Sequence, residues 1–524
     1  MEVLKEIAYT LTRYQVRQVD VITNPETKPT KKDNRYWDAY VGLRENKWQN
    51  DQELASAFGL EYPSKSYNRF KNELKDRLWS TLLFTEGVGR DRNESVSALQ
   101  ELVKNWSVAT MLLMRGALFA FWELANECLT IALEHEFLKH VVDITGMMKS
   151  YCVTNPQMKK EYLRVQQIYD AYWPNYIAEE NLRNAYETFA SDLAFSKGYK
   201  KDFAPVAAKL AEDFQLDSKS FDTAQLHFYY RILLFYSKVL NHEWVAAHQV
   251  ADEALQFFLQ KKNRRPYHVI AFYNQKASCL LMLGRYDEAN KALDSALEYT
   301  SPDSSHHFKN RELATVNAMY ASQYAVAWEL CKSAIKQERF SKIPMIDQES
   351  WRIYYGYLHF LAQTKQFEIS AREKGELPRF RLNAWLNDLP LHGRDKRGAQ
   401  IPVLILQTLL LFHEHRWDEL ESRIEALRKF RQRNLDPFDE HFRTNCFIHL
   451  LELLPKYAYD VQALKEKSAP WLKKMTGGEI DILDRTFEIE VVPYERQWSW
   501  IMQIAGASKT VAEPADKYWY KIAH

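Results

Sequence analysis

Residues 268–302 read HVIAFYNQKASCLLMLGRYDEANKALDSALEYTSP. Apolar and small residues recur there every three or four positions, which is the spacing that one buried face of an α-helix requires. Gly284 separates two such periodic segments and Pro302 follows the second, so these residues mark the points where the helices end. The stretch therefore predicts two antiparallel helices joined by a short turn.

The same stretch resembles a tetratricopeptide repeat. Its small, turn and closing positions match that repeat at Ala277, Gly284, Tyr286, Ala289, Ala296 and Pro302. Small side chains at these positions allow paired helices to approach closely. Weaker copies of the second helix occur at Trp244, Ala247, Ala251 and Ala254, at Tyr324, Ala327, Cys331 and Ala334, and, with larger residues, at Trp417, Leu420, Ile424 and Leu427.

The copies are unevenly spaced. Ala247 and Ala289 are 42 positions apart, and Ala289 and Ala327 are 38 apart, whereas the repeat has a usual period of about 34 residues. The resemblance implies an all-α solenoid over residues 95–475, a right-handed superhelix of antiparallel pairs. We expect a helical N-terminal cap over 1–94 and a C-terminal cap and tail over 476–524, because the end units of such a stack would otherwise expose apolar faces.

Composition agrees with a helical chain. The 524 residues include 15 glycines and 17 prolines, too few for the frequent tight turns of barrels, sandwiches and doubly wound sheets. A net charge of +1, from 70 Lys and Arg against 69 Asp and Glu, excludes a global field that gathers polyanions.

The five cysteines form no Cys-x-x-Cys pair, and the apolar run 402–412 is too short to span a bilayer. We expect a cytoplasmic protein with reduced thiols, no secretory signal and no membrane partner.

No catalytic motif is present. The sequence contains no phosphate-binding loop, no nucleophile elbow and no dinucleotide fingerprint. His135 and His140 are five positions apart, where a zinc-protease motif needs four. We therefore expect no enzyme, no cofactor and no metal. The leading hypothesis is a non-enzymatic scaffold or adaptor that binds a peptide or helix of a partner protein, since in the tetratricopeptide family the first helices of successive pairs line a concave groove.

Two sets of residues are candidates for partner binding. The resemblance implies groove positions at Asn274 and Ser278 of the best repeat, and at Arg231 and Lys238 of the preceding pair. Basic clusters supply the second set, which comprises Arg394, Lys396 and Arg397 in one charged turn and Arg428 and Arg431 on one helix face. These clusters are either solvated surface or a docking patch for an acidic partner or a phosphate. The turn 394–398 also resembles turns of uncharacterised bacterial tetratricopeptide proteins, with which no known activity is associated.

Residues 51–84 offer an alternative function. Asn50 is expected to cap one short helix, with Glu53 three residues later, and Ser64 to begin a long basic helix that ends at Phe84. This helix-turn-helix-like unit could present Lys65, Arg69, Lys71, Lys75 and Arg77 to phosphates, and the chain would then be a nucleic-acid-linked regulator with the solenoid as its sensor. Glu73 and Asp76 interrupt the basic face, which favours a plain capping hairpin instead.

Overall fold

A computed structural model describes residues 1–12, 31–84, 94–195, 202–214, 223–261, 264–301, 304–369, 400–434, 442–476 and 490–507. In these ranges the chain is all-α, with about twenty helices that pack mainly against their neighbours in sequence. It divides into two compact units, Met1–Tyr176 and Ile177–His524. None of the helices in the described ranges is long and apolar enough to cross a membrane.

The first unit contains α1 to α7 and the beginning of α8. Their bounds are α1 Glu2–Thr12, α2 Lys31–Arg44, α3 Asp51–Ala57, α4 Lys65–Phe84, α5 Glu94–Met114, α6 Leu118–Glu134, α7 Leu138–Val153 and α8 Lys159–Phe195. The predicted cap at Asn50 is confirmed, and Ser64, expected to be the first residue of α4, instead caps a helix that begins at Lys65. Asn50 Oδ1 accepts the Glu53 N–H at 2.9 Å, and Ser64 Oγ accepts the Tyr67 N–H at 3.0 Å, so each side chain satisfies a free donor of its helix.

The second unit contains the remainder of α8 and the helices after it. Their bounds are α9 Phe203–Asp213, α10 Ala224–Val239, α11 Trp244–Gln260, α12 Pro266–Met282, α13 Tyr286–Leu297, α14 Ser305–Tyr320, α15 Tyr324–Ile335, α16 Met345–Gln363, α17 Gln400–His413, α18 Trp417–Asn434, α19 Phe442–Leu451, α20 Leu454–Tyr457, α21 Val461–Thr476 and α22 Tyr494–Ala507.

The pair predicted from residues 268–302 is confirmed as α12 and α13. Ala277, Ala289 and Leu293 belong to one buried cluster between these helices, and Ala296 is fully buried. The small residues of the two neighbouring copies are buried in the same way, namely Ala247, Ala251, Ala254, Ala327, Cys331 and Ala334. Close packing of consecutive helices therefore rests on small side chains, as the sequence predicts.

One turn geometry recurs through the chain. Gly284 has a left-handed φ of 71°, its N–H donates to the Leu281 carbonyl at 3.0 Å, and the next N–H donates to Leu280 at 2.8 Å. This pair of bonds satisfies carbonyls that the end of a helix leaves free. In the described ranges the left-handed residues that occupy the equivalent position elsewhere are Asn46, Gly59, Gly116, Glu136, His242, Ser322, Lys365 and His415. Helix pairs of different sequence thus share one connection.

Residues 490–507 fold back on helices far earlier in the chain. The Tyr320 hydroxyl at the end of α14 donates to the Glu490 carbonyl at 2.7 Å, across 170 positions. The Trp500 ring of α22 lies 6.1 Å from the Tyr324 ring and 6.0 Å from the Phe360 ring, centroid to centroid. The segment is therefore packed into the largest hydrophobic cluster of the second unit.

Candidate functional site

Arg231 and Lys238 lie two turns apart on one face of α10, and both are partly exposed. The opposite faces of this helix are occupied, because Phe228 and Ile232 pack in the cluster that α11 and α12 share, and Leu226 and Leu233 pack in the cluster formed with α8 and α9. The structure thus leaves one side of α10 for contact with something outside the hydrophobic clusters.

Arg231 is a cation whose charge is not neutralised locally. Its Cζ atom lies 4.9 Å from the centre of the Phe257 ring of α11, a favourable cation–π distance. Its Nε atom is buried without a hydrogen-bond partner, and no carboxylate of the described chain lies within ion-pair distance of it. Burial lowers the pKa of the guanidinium, and the more distant charge of Glu253 only partly opposes this shift.

Lys238 has a local partner. Its Nζ atom lies 3.0 Å from Glu243 Oε2, just beyond the turn that connects α10 and α11, and both side chains are substantially exposed. An exposed pair of this kind contributes little to stability. Lys238 is therefore available to exchange Glu243 for another carboxylate at small cost.

Asn274 and Ser278 lie on the face of α12 that contacts α14. Asn274 Oδ1 accepts a hydrogen bond from Asn310 Nδ2 at 3.2 Å, and Asn310 Nδ2 also donates to the Leu293 carbonyl at 3.0 Å. The Ser278 hydroxyl donates to the Asn274 carbonyl at 3.0 Å. Both residues are partly exposed. Within the described ranges no hydrogen bond joins this pair to Arg231 or Lys238, so the four residues form two separate groups.

Arg428 and Arg431 are brought together, but around an internal carboxylate. Glu452 Oε1 lies 3.2 Å from Arg431 Nη2 and 3.6 Å from Arg428 Nε. Arg428 also pairs with Glu425 at 2.7 Å. Burial raises the pKa of Glu452, but bonds and charges from His449 and Arg431 outweigh it, so the pKa is lowered overall. Most of the positive charge of this helix face is thus neutralised within the chain. Arg394, Lys396 and Arg397 lie outside the described residues.

Several of the five basic side chains expected to face phosphates on α4 make contacts within the chain. Lys71 Nζ lies 2.6 Å from Asp51, Arg69 Nε lies 3.0 Å from Glu73, and Arg77 lies over the Tyr36 ring at 4.4 Å. The connection from α3 to α4 spans residues 58–64, longer than the three or four residues of a helix-turn-helix turn. Arg69 is 81% exposed, so its pair with Glu73 leaves it as available as Lys238, and the choice between a capping hairpin and a phosphate-binding surface stays a prediction.

A buried ionic centre was not predicted. Arg443 of α19 donates to both carboxylate oxygens of Glu490, to Glu495 at 2.8 Å and to the Met475 carbonyl at 2.8 Å. The side chains of Arg443 and Glu490 are 7% and 5% exposed. Because each buried charge has a partner, the centre ties α19, α21 and α22 together and offers no free group to a ligand. Its members are 47 and 52 positions apart, so no local spacing identifies them.

The described part of the chain shows no group of three His, Cys, Asp or Glu side chains that could hold a metal ion. The cysteines Cys128, Cys152, Cys279, Cys331 and Cys446 are free and buried. Burial raises the pKa of each thiol, which opposes formation of a reactive thiolate. Arg231 and its neighbours on α10 and α11 therefore form the best candidate site.

No family model, no curated protein and no solved structure matches this chain. The function is therefore inferred from the contacts of the chain itself.

Proposed function

We propose that the protein is a non-enzymatic scaffold or adaptor, a tetratricopeptide-like array that binds a peptide or helix of a partner protein. The paired helices, the recurring turn and the buried small residues between helices support the array. In such an array the first helices of successive pairs present a continuous surface to a partner. On this proposal α10 and α12 are first helices, with Arg231, Lys238, Asn274 and Ser278 on the binding side.

The observation that carries the proposal is the isolated charge of Arg231. A partly buried cation without an ion-pair partner costs desolvation energy and returns only its contact with one aromatic ring. Folding alone gives no reason for this arrangement. A carboxylate or carbonyl group of a bound partner would satisfy the guanidinium and recover that cost on binding.

Asn274 supports the same interpretation at the next pair. Its Oδ1 atom is occupied by Asn310, and its side-chain nitrogen makes no hydrogen bond in the described structure. An amide held in this way can donate to a main-chain carbonyl of an extended or helical partner. Such bonds align a bound segment without selecting its sequence.

A pulldown from native cytosol followed by mass spectrometry tests the proposal. We compare the wild-type full chain, an Arg231→Glu, Asn274→Ala double variant, and a Lys291→Glu control at an exposed position of α13. We expect the wild type and the control to recover the same specific proteins and the double variant to lose them. Circular dichroism establishes that all three chains are folded.

Recovery of an unchanged set of proteins by the double variant contradicts the proposal. For a purified partner we expect the double variant to bind about 30-fold more weakly, or about 2 kcal/mol, since charge reversal leaves the partner's buried anion unpaired. The Lys291→Glu control is expected to keep the wild-type affinity.

A further inference from the structure

We infer that the bound segment is acidic, and that one of its carboxylates binds beside the Phe257 ring between Arg231 and Lys261. This inference rests on the proposed function and assigns the chemistry of the partner. The anchor consists of Arg231 on α10 and of Phe257 and Lys261 at the end of α11.

Two cations contact the same aromatic ring. Arg231 Cζ lies 4.9 Å and Lys261 Nζ 5.4 Å from the centre of the Phe257 ring. The two charges are therefore no more than 10.3 Å apart, the sum of these distances, and they repel each other. An anion near both is attracted by both, whereas a neutral or cationic group gains nothing from them.

The surroundings add positive charge. Arg264 Nη1 donates to the carbonyls of Leu259 at 3.2 Å and Lys261 at 3.3 Å, which fixes a third cation at the end of α11. Of the described residues between α11 and α12, Lys261, Arg264 and Arg265 are basic, and Arg265 donates to Gln225 Oε1 at 2.9 Å. The carboxylate that influences Arg231 most, Glu253, accepts a hydrogen bond from Gln249 at 3.1 Å on the exposed side of α11.

The geometry of arginine specifies the ligand further. Its planar guanidinium presents paired N–H donors that match the two oxygens of a carboxylate. Packing against Phe257 limits the rotation of the guanidinium, so little entropy is lost when the carboxylate binds.

The inference predicts that Arg231 serves binding and does not stabilise the folded chain. Methionine has a similar length, packs well against aromatic rings and carries no charge to desolvate. Arg231→Met should therefore leave the midpoint of thermal unfolding unchanged or raise it, while binding of acidic peptides is lost. A residue kept for folding would show the opposite effect on stability.

The test is a selection of random displayed peptides against the immobilised full chain, with Arg231→Met as the variant and Lys291→Met as the control. We expect the wild type and the control to enrich peptides rich in Asp and Glu, and Arg231→Met to lose this enrichment. A selected peptide resynthesised with Gln in place of Glu should bind the wild type at least about tenfold more weakly. Arg231→Lys should restore part of the binding, because it keeps the charge without the paired donors.

Selected peptides without acidic enrichment, or acidic enrichment that survives Arg231→Met, overturn the inference and leave the scaffold proposal standing. Loss of thermal stability in Arg231→Met also overturns it. If no peptide is enriched over the library by any of the three chains, both the inference and the proposed function are wrong.

Discussion

Left-handed residues at helix ends are the smallest feature that shapes this fold. Outside glycine this conformation brings Cβ close to the following carbonyl, at a cost of about 1–2 kcal/mol. Glu136, His242, Ser322, Lys365 and His415 all bear that cost. At Glu136, His242, Ser322 and His415 the turn joins two helices whose apolar faces are buried, and this packing favours the left-handed conformation.

Introducing glycine at one of these turns should raise the free energy of unfolding, and removing glycine from another should lower it. Lys365 is exposed with φ 57°, so Lys365→Gly should raise the free energy of unfolding by about 0.5–1 kcal/mol. Gly284→Ala should lower it by about 1 kcal/mol through backbone strain alone, because a Cβ at Gly284 meets no atom within 4 Å. Urea unfolding of the three chains measures both differences. Equal free energies of unfolding for the wild type and both variants would mean that the backbone of these turns adjusts to either residue.

His268 should make stability depend on pH. It is fully buried between the rings of Phe228 and Phe258, each 4.9 Å away, and its Nε2 lies 3.2 Å from Gln225 Oε1. Burial, helped by the charge of Arg265, lowers its pKa from 6.5 to about 3. The unfolded chain therefore takes up a proton that the folded chain refuses. The stabilising contribution is complete above pH 6.5 and is lost progressively as the pH falls towards 3.

His268→Phe removes this titration while it keeps the aromatic packing. We expect the free energy of unfolding of the variant to fall less steeply than that of the wild type between pH 6.5 and pH 4. Chemical unfolding at several pH values measures the two slopes. Parallel slopes would mean that His268 is protonated in the folded chain, which its burial does not allow.

At the scale of whole elements, one ion cluster contributes to holding the segment 490–507, beside its hydrophobic packing. Glu490 is 5% exposed and its carboxylate pairs with Arg443, while its carbonyl accepts the Tyr320 hydroxyl. Arg443→Met would leave a buried carboxylate without a cation, and losing one partner of such a pair costs about 3–5 kcal/mol. We expect the free energy of unfolding of the variant, measured by urea unfolding, to be lower by that amount.

The control for this cluster is the double variant Arg443→Met, Glu490→Gln. Because the buried charge is then removed with its partner, a large part of the lost stability should return. Equal losses in the single and double variants would mean that the packing of Arg443, and not its charge, holds α22 in place.

The sequence predicts the elements of this molecule better than their long-range contacts. Gly284, Ala277 and Ala289 indicate a helical hairpin because each acts within its own pair, and Asn50 caps α3 for the same local reason. The turn at Lys365 has no such signal, because lysine does not favour the left-handed conformation that this residue adopts.

For the candidate site, too, local features can be predicted from the sequence and long-range contacts cannot. Arg231 is a candidate only through the resemblance to a tetratricopeptide repeat, whereas its placement over Phe257 depends on the register of α10 against α11, which no spacing in the sequence reveals. The ion cluster of Arg443 is even harder to predict from the sequence, because its carboxylates lie 47 and 52 positions later in the chain.

The fold-back of residues 490–507 has a consequence for the order in which the protein is made. Helices α14, α16 and α19 emerge from the ribosome well before Glu490 and Trp500, the residues that cover their buried side chains. Until synthesis reaches α22, the nascent chain exposes Arg443 without its carboxylates and Tyr320 without its acceptor. The second unit can therefore complete its folding only late in translation, and during that interval its apolar surface stays exposed.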